Sequence, residues 1–408
     1  MNDSRLLGGI LLVAGTAIGA GMLALPISTG LAGFYPSLFL FFVSWGFMTF
    51  TAFLLLEVNL WMDGEADLIS MAQSTLGSFG KYVSGISYLL LLYALTAAYI
   101  GGSSHIVGEA IENLIGFDLP QWFTPVLVLG FFSFVVYLGT QSVDYLNRLL
   151  MVGLIASYSL LVCFAPAHVT MENFEHTDWS YLAMSVSVVV TSFGFHVVIP
   201  FLTTYLDRDL RKLKISLFVG CLIPLCVYAV WEFLVLGVVP LEGPNSILEA
   251  WSGDMPATDP LRASLQSPWL SVGAQFFAFF SISTSFLGVS LSLFHFIADA
   301  LDLKKGSSGK LAVCMLTFLP PLTFVLTGVR GFYLALEYAG VFVAVLLGIL
   351  PALMAWSVRK QTAKPAIYTV MGGKTSLVLA ITFFSGVVVL EVANKMGLLQ
   401  CVASEYIK

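Results

Sequence analysis

Long apolar stretches separated by short polar segments dominate this 408-residue chain. A helix needs roughly 20 apolar residues to cross a bilayer core about 30 Å thick. The chain contains eleven stretches of about that length, which predict an all-α polytopic membrane protein with a single transmembrane domain over 1–408. Their approximate bounds are 6–34, 36–60, 82–114, 120–138, 149–167, 181–206, 215–239, 269–301, 311–326, 332–356 and 377–396.

Glycine and proline interrupt the first stretch at Gly15, Gly19, Gly21 and Pro26. Each glycine costs a helix about 1 kcal/mol, and a proline removes a backbone hydrogen bond. Irregular backbone inside a membrane persists only where protein or a water-filled cavity covers it. We therefore expect this helix to be broken and the break to line a binding site. Close helix packing through the small residues Gly15 and Gly19 is the alternative.

The sixth stretch carries a second interruption, Thr-Ser-Phe-Gly-Phe-His-Val-Val-Ile-Pro at 191–200. Helix packing would explain one such segment, whereas two broken spans in matching halves of a chain are typical of a transporter binding site. Breaks at positions one and six predict a leucine-transporter-type 5+5 inverted repeat. The first repeat would cover about 6–167 and the second about 178–356, with an extra helix at about 377–396.

Composition agrees with this architecture and excludes several classes of protein. Apolar residues make up 58% of the chain and charged residues 10%, against roughly 45–50% and 25% in soluble domains. The net charge of −6 and the absence of a dense basic cluster argue against nucleic acid as a partner. The five cysteines are scattered without CxxC spacing, so we interpret them as apolar packing residues and expect no metal site or cofactor.

Lysine and arginine placement predicts the orientation in the membrane. With the N-terminus in the cytoplasm, fourteen of the eighteen basic residues fall on the inner side. The four on the outer side are Arg262, Arg330, Lys395 and Lys408. Eleven spans then place the C-terminus in the periplasm. A cleaved signal peptide is the competing interpretation of the first stretch, but the stretch is too long for one.

Unwinding a helix frees backbone N–H groups that bind an anion such as a carboxylate. Freed carbonyls and the second break would hold an ammonium group, so a zwitterionic amino acid fits both. Aromatic residues near the breaks would stack on an aromatic side chain, or would serve packing alone. The candidate substrate-binding residues are Thr16, Ala17, Gly19, Ala20, Gly21, Tyr93, Tyr99, Ser192, Phe193, Gly194, Phe195 and His196.

Ionisable groups inside membrane spans are costly and mark candidate coupling sites. For protons these are His196 and Glu337. For sodium, Ser283 and Thr284 with the carbonyl of Ala17 would form an oxygen cage, unless the hydroxyls bond back to their own helix. We expect structural roles for four further residues, His105, Glu232, His295 and Glu391.

Six motifs distributed along the chain resemble those of the bacterial hydroxy and aromatic amino acid permeases, most of all the tyrosine-specific branch. They are GTAIGAGMLALP at 15–26, LLLEV at 54–58, YALTAAYI at 93–100, TSFGFH at 191–196, TSFLGV at 284–289 and TFLPPL at 317–322. The resemblance implies proton-driven import of tyrosine, with tryptophan and phenylalanine as further candidates, across the bacterial inner membrane by alternating access.

The same resemblance implies roles for individual residues. Ala20 and Gly21 would face the substrate carboxylate, and Arg5 and Asp299 would pair as an inner gate. The aromatic pocket would be bordered by Ser192, Phe193 and Phe195.

One departure from the wider superfamily keeps the coupling ion open. Proton-coupled relatives can carry a lysine in the fifth span, whereas this fifth span has none and places Gly153 near that level. The alternative function is therefore a sodium-coupled symporter of other neutral amino acids. An intramembrane enzyme is disfavoured because no GxS nucleophile motif lies near His196 or His105. A channel is disfavoured because no continuous polar stripe is visible.

Overall fold

The computed structural model describes residues 2–64, 66–117, 119–265, 267–302, 307–327, 331–361 and 367–398. These residues form helices and short connections without any strand, which confirms the prediction of an all-α membrane protein. The α-helices are α1 Asn2–Ala17, α2 Gly21–Gly30, α3 Phe34–Trp61, α4 Leu68–Ile115, α5 Phe123–Leu138, α6 Thr140–Phe164, α7 Leu182–Ser192, α8 Ile199–Tyr205, α9 Leu210–Val238, α10 Ile247–Ser252, α11 Thr258–Ser264, α12 Pro268–Ala300, α13 Ser307–Leu326, α14 Gly331–Val343, α15 Leu350–Lys360 and α16 Gly373–Lys395.

Each predicted apolar stretch falls on a helix or on a broken pair of helices. Within the described ranges, nine helices are long and apolar enough to span a membrane, or ten when α1 and α2 count as one bent span. The difference from the predicted eleven lies in the fourth stretch. There α5 is apolar but only 16 residues long, somewhat shorter than the roughly 20 residues a bilayer core requires.

Two of the polar segments between the predicted apolar stretches, which we expected to be loops, contain helical residues. The segment expected to stay polar up to Gly80 begins α4 at Leu68, with Asp67 accepting a hydrogen bond from the Ser70 N–H at 2.7 Å and a kink at Gly77. The loop expected over 241–268 contains α10 and α11. Both are short amphipathic or capped segments that a search for 20-residue apolar stretches does not detect.

The first break lies where the sequence predicts it. Helix α1 ends at Ala17, α2 begins at Gly21, and the two axes differ by 53°. A Cβ atom at position 21 would lie 2.6 Å from Ser192 Oγ and 3.2 Å from Ser192 Cβ. Glycine is therefore required there because the second broken span approaches the backbone directly.

The second break also agrees with the prediction. Helix α7 ends at Ser192, and the chain leaves helical geometry before a 3₁₀ turn at His196–Val198 leads into α8. Pro200 sits in the first turn of α8, where its missing N–H costs nothing. Helix α9 contacts α1 and α2 along the first broken span, and its Tyr228 contacts Ser192 and Phe193 at the second break.

A buried ion pair ties α3 to α15 near the ends of both helices. Arg359 Nε and Nη2 donate to the two carboxylate oxygens of Glu57, each at 2.7 Å. The Val370 N–H donates to the same carboxylate at 2.8 Å. The Glu57 side chain is 0% exposed and that of Arg359 is 16% exposed. Removing either partner would leave a buried charge without compensation.

We predict that Glu57→Ala lowers the free energy of unfolding by about 3–5 kcal/mol, because Arg359 keeps its charge in a desolvated position. Unfolding in detergent, followed by temperature or denaturant, measures the change. Asp144→Ala is the matched control, since Asp144 is 56% exposed in an i,i+4 pair with Arg148 and its loss changes stability by at most about 1 kcal/mol. Equal destabilisation by both substitutions would contradict the prediction.

Candidate functional site

A cavity of about 370 Å³ lies between the two broken spans and is closed by α4, α6, α12 and α14. Nine of the residues predicted to bind substrate or cation line it. They are Thr16, Ala17, Gly19, Ala20, Gly21, Tyr99, Ser192, Gly194 and Thr284. The breaks in the two spans therefore meet at one cavity, as expected for irregular backbone at membrane depth.

The residues at the start of α2 line this cavity, and some of their backbone N–H groups are free. The Ala20 N–H donates to Ser285 Oγ at 2.9 Å, and the Met22 and Leu23 N–H groups donate to carbonyls three residues earlier at 3.0 and 3.1 Å. The N–H groups of Gly19 and Gly21 have no acceptor among the described residues. Free N–H groups at a helix N-terminus, together with the helix dipole, form an anion site.

Tyr228 connects the carbonyl groups that the two breaks release. In unbroken helices the carbonyls of Ala17 and Ser192 would accept from the residues four positions later. Instead, the Tyr228 hydroxyl donates towards Ala17 O at 2.6 Å and Ser192 O at 2.9 Å. A hydroxyl has one proton, so the two carbonyls share a single donor. The shared donor holds the two broken spans together at the level of the cavity.

Trp231 satisfies another carbonyl of the first span. Pro26 has no N–H, so the carbonyl of Met22 lacks its intrahelical partner. The indole Nε1–H of Trp231 donates to it at 2.7 Å. Residues 228, 231 and 232 lie on one face of α9 through i,i+3 and i,i+4 spacing, and this face follows the first broken span.

Four predicted substrate residues do not line the cavity. Phe193 packs edge-on against Phe41 and Tyr228, with ring centroids 6.4 and 5.2 Å away, and the Phe195 ring lies against His196. Tyr93 donates its hydroxyl to the Leu316 carbonyl at 2.8 Å. These positions match the packing alternative for the aromatic residues, while contact with substrate stays a prediction.

His196, the fourth of these residues, is fully buried and faces α3. Its Nε2 lies 2.9 Å from Thr51 Oγ1, so the pair forms a hydrogen bond away from the cavity. Glu337 also lies elsewhere. It forms an ion pair with Lys395 of α16 and lines a separate cavity of about 200 Å³. The roles of His196 and Glu337 in proton coupling stay predictions.

The oxygen atoms predicted to form a sodium cage are partly engaged in other hydrogen bonds. Thr284 Oγ1 donates to the Phe280 carbonyl of its own helix at 2.9 Å, and Ala17 O accepts from Tyr228. Ser283 Oγ is buried and has no hydrogen-bond partner within the described residues. Thr284 therefore follows the alternative interpretation, in which the hydroxyl bonds to a carbonyl of its own helix.

The ion pair of Arg5 differs from the predicted gate. Arg5 Nη1 lies 2.6 Å from Asp207 Oδ2, in the turn that follows α8. Asp299 is exposed near the end of α12. Arg5 therefore links the start of the first broken span to the end of the second. Pairing with Asp299 stays a prediction for another conformation.

The four acidic and histidine residues expected to be structural all have hydrogen-bond partners. The pairs are His105 Nε2 with Asp259 at 2.6 Å, Glu232 with Thr29 at 2.6 Å, His295 Nε2 with Thr140 at 3.3 Å, and Glu391 with Ser187 at 2.7 Å. His105, Glu109 and Asp259 are close enough to share a metal ion. The guanidinium of Arg262, 2.8 Å from Glu109, already supplies positive charge to that cluster.

Comparison with known proteins identifies the family. A family model described as the tryptophan/tyrosine permease family matches residues 2–392. The chain belongs to this family. The permease is 33% identical over 405 residues to the tryptophan-specific transport protein of Haemophilus influenzae, covering 96% of each chain. It is 32% identical over 384 residues to tyrosine-specific transport system 1 of the same organism, covering 93% of this chain and 94% of that protein.

These comparisons confirm the resemblance seen in the six motifs. They place the permease among membrane transport proteins and not among enzymes. A tryptophan-specific transport protein of Pseudomonas aeruginosa is also 32% identical, over 93% of this chain. Relatives named for tryptophan and for tyrosine are thus equally similar, and identity alone does not select a branch.

The sequence analysis missed two residues that shape the site of the permease, Tyr228 and Trp231. Each satisfies a backbone group that a break or a proline releases. Counting the carbonyls freed by Pro26 and by the breaks would have shown that donors were needed. A Tyr-x-x-Trp pair in the middle of the seventh apolar stretch was the available signal.

We predict that Tyr228→Phe lowers the free energy of unfolding by about 1–3 kcal/mol, because two buried carbonyls lose their only shared donor. Unfolding of the purified permease in detergent measures the change. Tyr145→Phe is the matched control, because Tyr145 is 77% exposed and the loss of an exposed hydroxyl leaves no buried carbonyl without a donor. Identical stability of wild type and Tyr228→Phe would disprove the role of this hydroxyl.

Proposed function

We propose that this permease imports aromatic amino acids across the bacterial inner membrane by proton-coupled symport with alternating access. The observation that carries the proposal is the cavity between the broken spans, which is lined by Gly19 and Gly21, whose N–H groups have no acceptor among the described residues. Relatives named for tryptophan and tyrosine transport, matched over nearly the full chain, support the substrate class.

The cavity suits a free amino acid with an aromatic side chain. Its volume of about 370 Å³ lies within the range of roughly 300–1,000 Å³ seen for ligand sites. The substrate carboxylate would bind the N–H groups at the start of α2, and the ammonium would lie towards the second break. Tyr88, Tyr99 and the aliphatic lining of α4 offer apolar surface for the ring.

We further propose eleven spans in a 5+5 inverted repeat, with a cytoplasmic N-terminus and a periplasmic C-terminus. Two breaks at the first and sixth positions, an apolar helix α5 at the fourth and the additional α16 support this arrangement. The uneven distribution of lysine and arginine supports the orientation.

The cavity extends towards the side on which the chain begins, which supports an inward-facing conformation. Its lining includes Asn147, seven residues after the start of α6, and Ser292, eight residues before the end of α12. On the opposite side, α10 packs against α2, and the Ala257 N–H, just before α11, donates to the Leu23 carbonyl at 2.9 Å. In the outward-facing conformation, Arg5 would exchange Asp207 for Asp299 and close the inner side.

Uptake of radiolabelled tryptophan and tyrosine into proteoliposomes tests the function. We expect uptake that is driven by an inward proton gradient, is indifferent to sodium, and is inhibited by the other aromatic amino acids. Empty liposomes and dissipation of the pH gradient are the controls. Uptake driven by sodium would overturn the coupling, and failure of aromatic amino acids to be taken up or to compete would overturn the substrate class.

We predict that Gly21→Val abolishes uptake while the permease still inserts and folds. Its Cβ would approach Ser192 to 2.6 Å, and the branched side chain would crowd the N–H groups proposed to bind carboxylate. Gly46→Ala in α3 is the control, because a Cβ there meets no other atom within 4 Å. Wild-type uptake by a well-expressed Gly21→Val variant would reject this site.

A further inference from the structure

Glu232 is a carboxyl group inside the membrane-spanning part of α9 without a cationic partner among the described residues. It is 0% exposed, and its Oε1 lies 2.6 Å from Thr29 Oγ1 of α2. Its Oε2 is buried and has no hydrogen-bond partner in the part of the chain that the structure describes. Burying a charged carboxylate in this way is strongly unfavourable.

The contacts of Thr29 indicate which form of Glu232 the site holds. Thr29 Oγ1 lies 2.7 Å from the Leu25 carbonyl as well as 2.6 Å from Glu232 Oε1. A carbonyl and a carboxylate are both acceptors, and a hydroxyl has one proton to donate. If Thr29 donates to Leu25, as threonine in helices commonly does, Glu232 must supply the second proton. A neutral carboxylic acid satisfies both short contacts.

The elements packed against α9 offer Glu232 no compensating charge. Helix α2 has no ionisable residue. The uncharged hydroxyl of Ser37 in α3 lies close to the Glu232 carboxyl and donates to the Gly33 carbonyl at 2.7 Å. His168 and Glu172 lie on the short 3₁₀ segments beside the end of α9, where Glu172 is exposed. Arg5 of α1, Glu57 of α3, and the charged residues of α6 and α11 already have partners. Their ion pairs are Arg5–Asp207, Glu57–Arg359, Asp144–Arg148, His105–Asp259 and Glu109–Arg262.

We propose that Glu232 carries the proton that is transported together with the substrate, an inference that rests on the proposed symport. When α2 moves away from α9, the Glu232 carboxylate meets outer water and takes one proton from it. Closure of α2 onto α9 buries the neutral acid against Thr29. The same proton then leaves to inner water, and the carboxylate is restored for the next cycle.

The position of Glu232 explains how proton and substrate sites communicate. Tyr228 lies one helical turn away on the same face of α9 and contacts Ala17, which lines the cavity. In this proposal, the proton leaves Glu232 along the face of α9 that carries Tyr228 and reaches the cavity. A charged Glu232 could accept from the Thr29 hydroxyl only if that hydroxyl gave up the Leu25 carbonyl, and the carboxylate would then be buried without a cation. Protonation therefore favours attachment of α2 to α9. The residue differs from His196 and Glu337, neither of which lies on this face.

Glu232→Gln tests the proposal, because the amide imitates the neutral acid and releases no proton. In proteoliposomes, a pH difference of one unit drives about tenfold accumulation of tryptophan by a one-proton symporter. We expect wild type to approach that ratio. The variant should only equilibrate tryptophan across the membrane, while it exchanges internal for external tryptophan at a rate within about twofold of wild type.

Glu391→Gln is the matched control, because Glu391 is also buried and accepts from a hydroxyl, that of Ser187, but lies beside Lys395. This variant should accumulate tryptophan as wild type does. Full accumulation by Glu232→Gln would overturn the proposal. Absence of tryptophan transport by wild type would instead overturn the proposed function.

Infrared difference spectroscopy covers the case in which Glu232→Gln loses exchange as well. Comparison of spectra with and without tryptophan at several pH values reports protonated carboxyl groups directly. We expect a carboxylic acid C=O band in wild type that Glu232→Gln removes and Glu391→Gln keeps. A band that persists unchanged in Glu232→Gln, or that is missing from wild type, would contradict the proposal.

Discussion

Every backbone carbonyl freed inside a membrane needs a donor, and in this permease one tyrosine serves two of them. The Tyr228 hydroxyl lies 2.6 Å from Ala17 O and 2.9 Å from Ser192 O. Without a partner, each carbonyl would cost about 1–3 kcal/mol. The two interruptions are tolerated because they meet at this donor, and the cavity lies beside it. In the same way, Trp231 donates to the Met22 carbonyl, which lacks its intrahelical partner because Pro26 has no N–H.

Helix α9 thus connects the substrate site to the proposed proton site. Its Tyr228, Trp231 and Glu232 contact the first broken span at three successive levels. The first two contacts join donors to carbonyls and do not depend on pH. The third joins a hydroxyl to an acid, so its strength changes with protonation. Movement of α2 relative to α9 is consequently linked to the charge of a single carboxyl group.

The sequence predicted those features that depend on local chemistry. Clustered glycine and proline disfavour a continuous helix, so both breaks lie within the segments that the sequence singled out, although Gly15 stays in α1 and Pro26 in α2. Partners across the fold could not be found in this way. Arg5 pairs with Asp207 because two distant chain segments emerge together, and Phe193 and Phe195 face the core because the second break turns them there. The length of α5 was overestimated since apolar composition alone does not fix where a helix begins.

The central claim is that the two broken spans bind the substrate between them. A cryo-electron microscopy structure of the permease with bound tryptophan tests it most directly. We expect the substrate carboxylate within hydrogen-bonding distance of the Gly19 and Gly21 N–H groups and the ring beside Tyr99. Tryptophan bound instead in the separate cavity beside Glu337 and Lys395, with nothing between the breaks, would contradict this account.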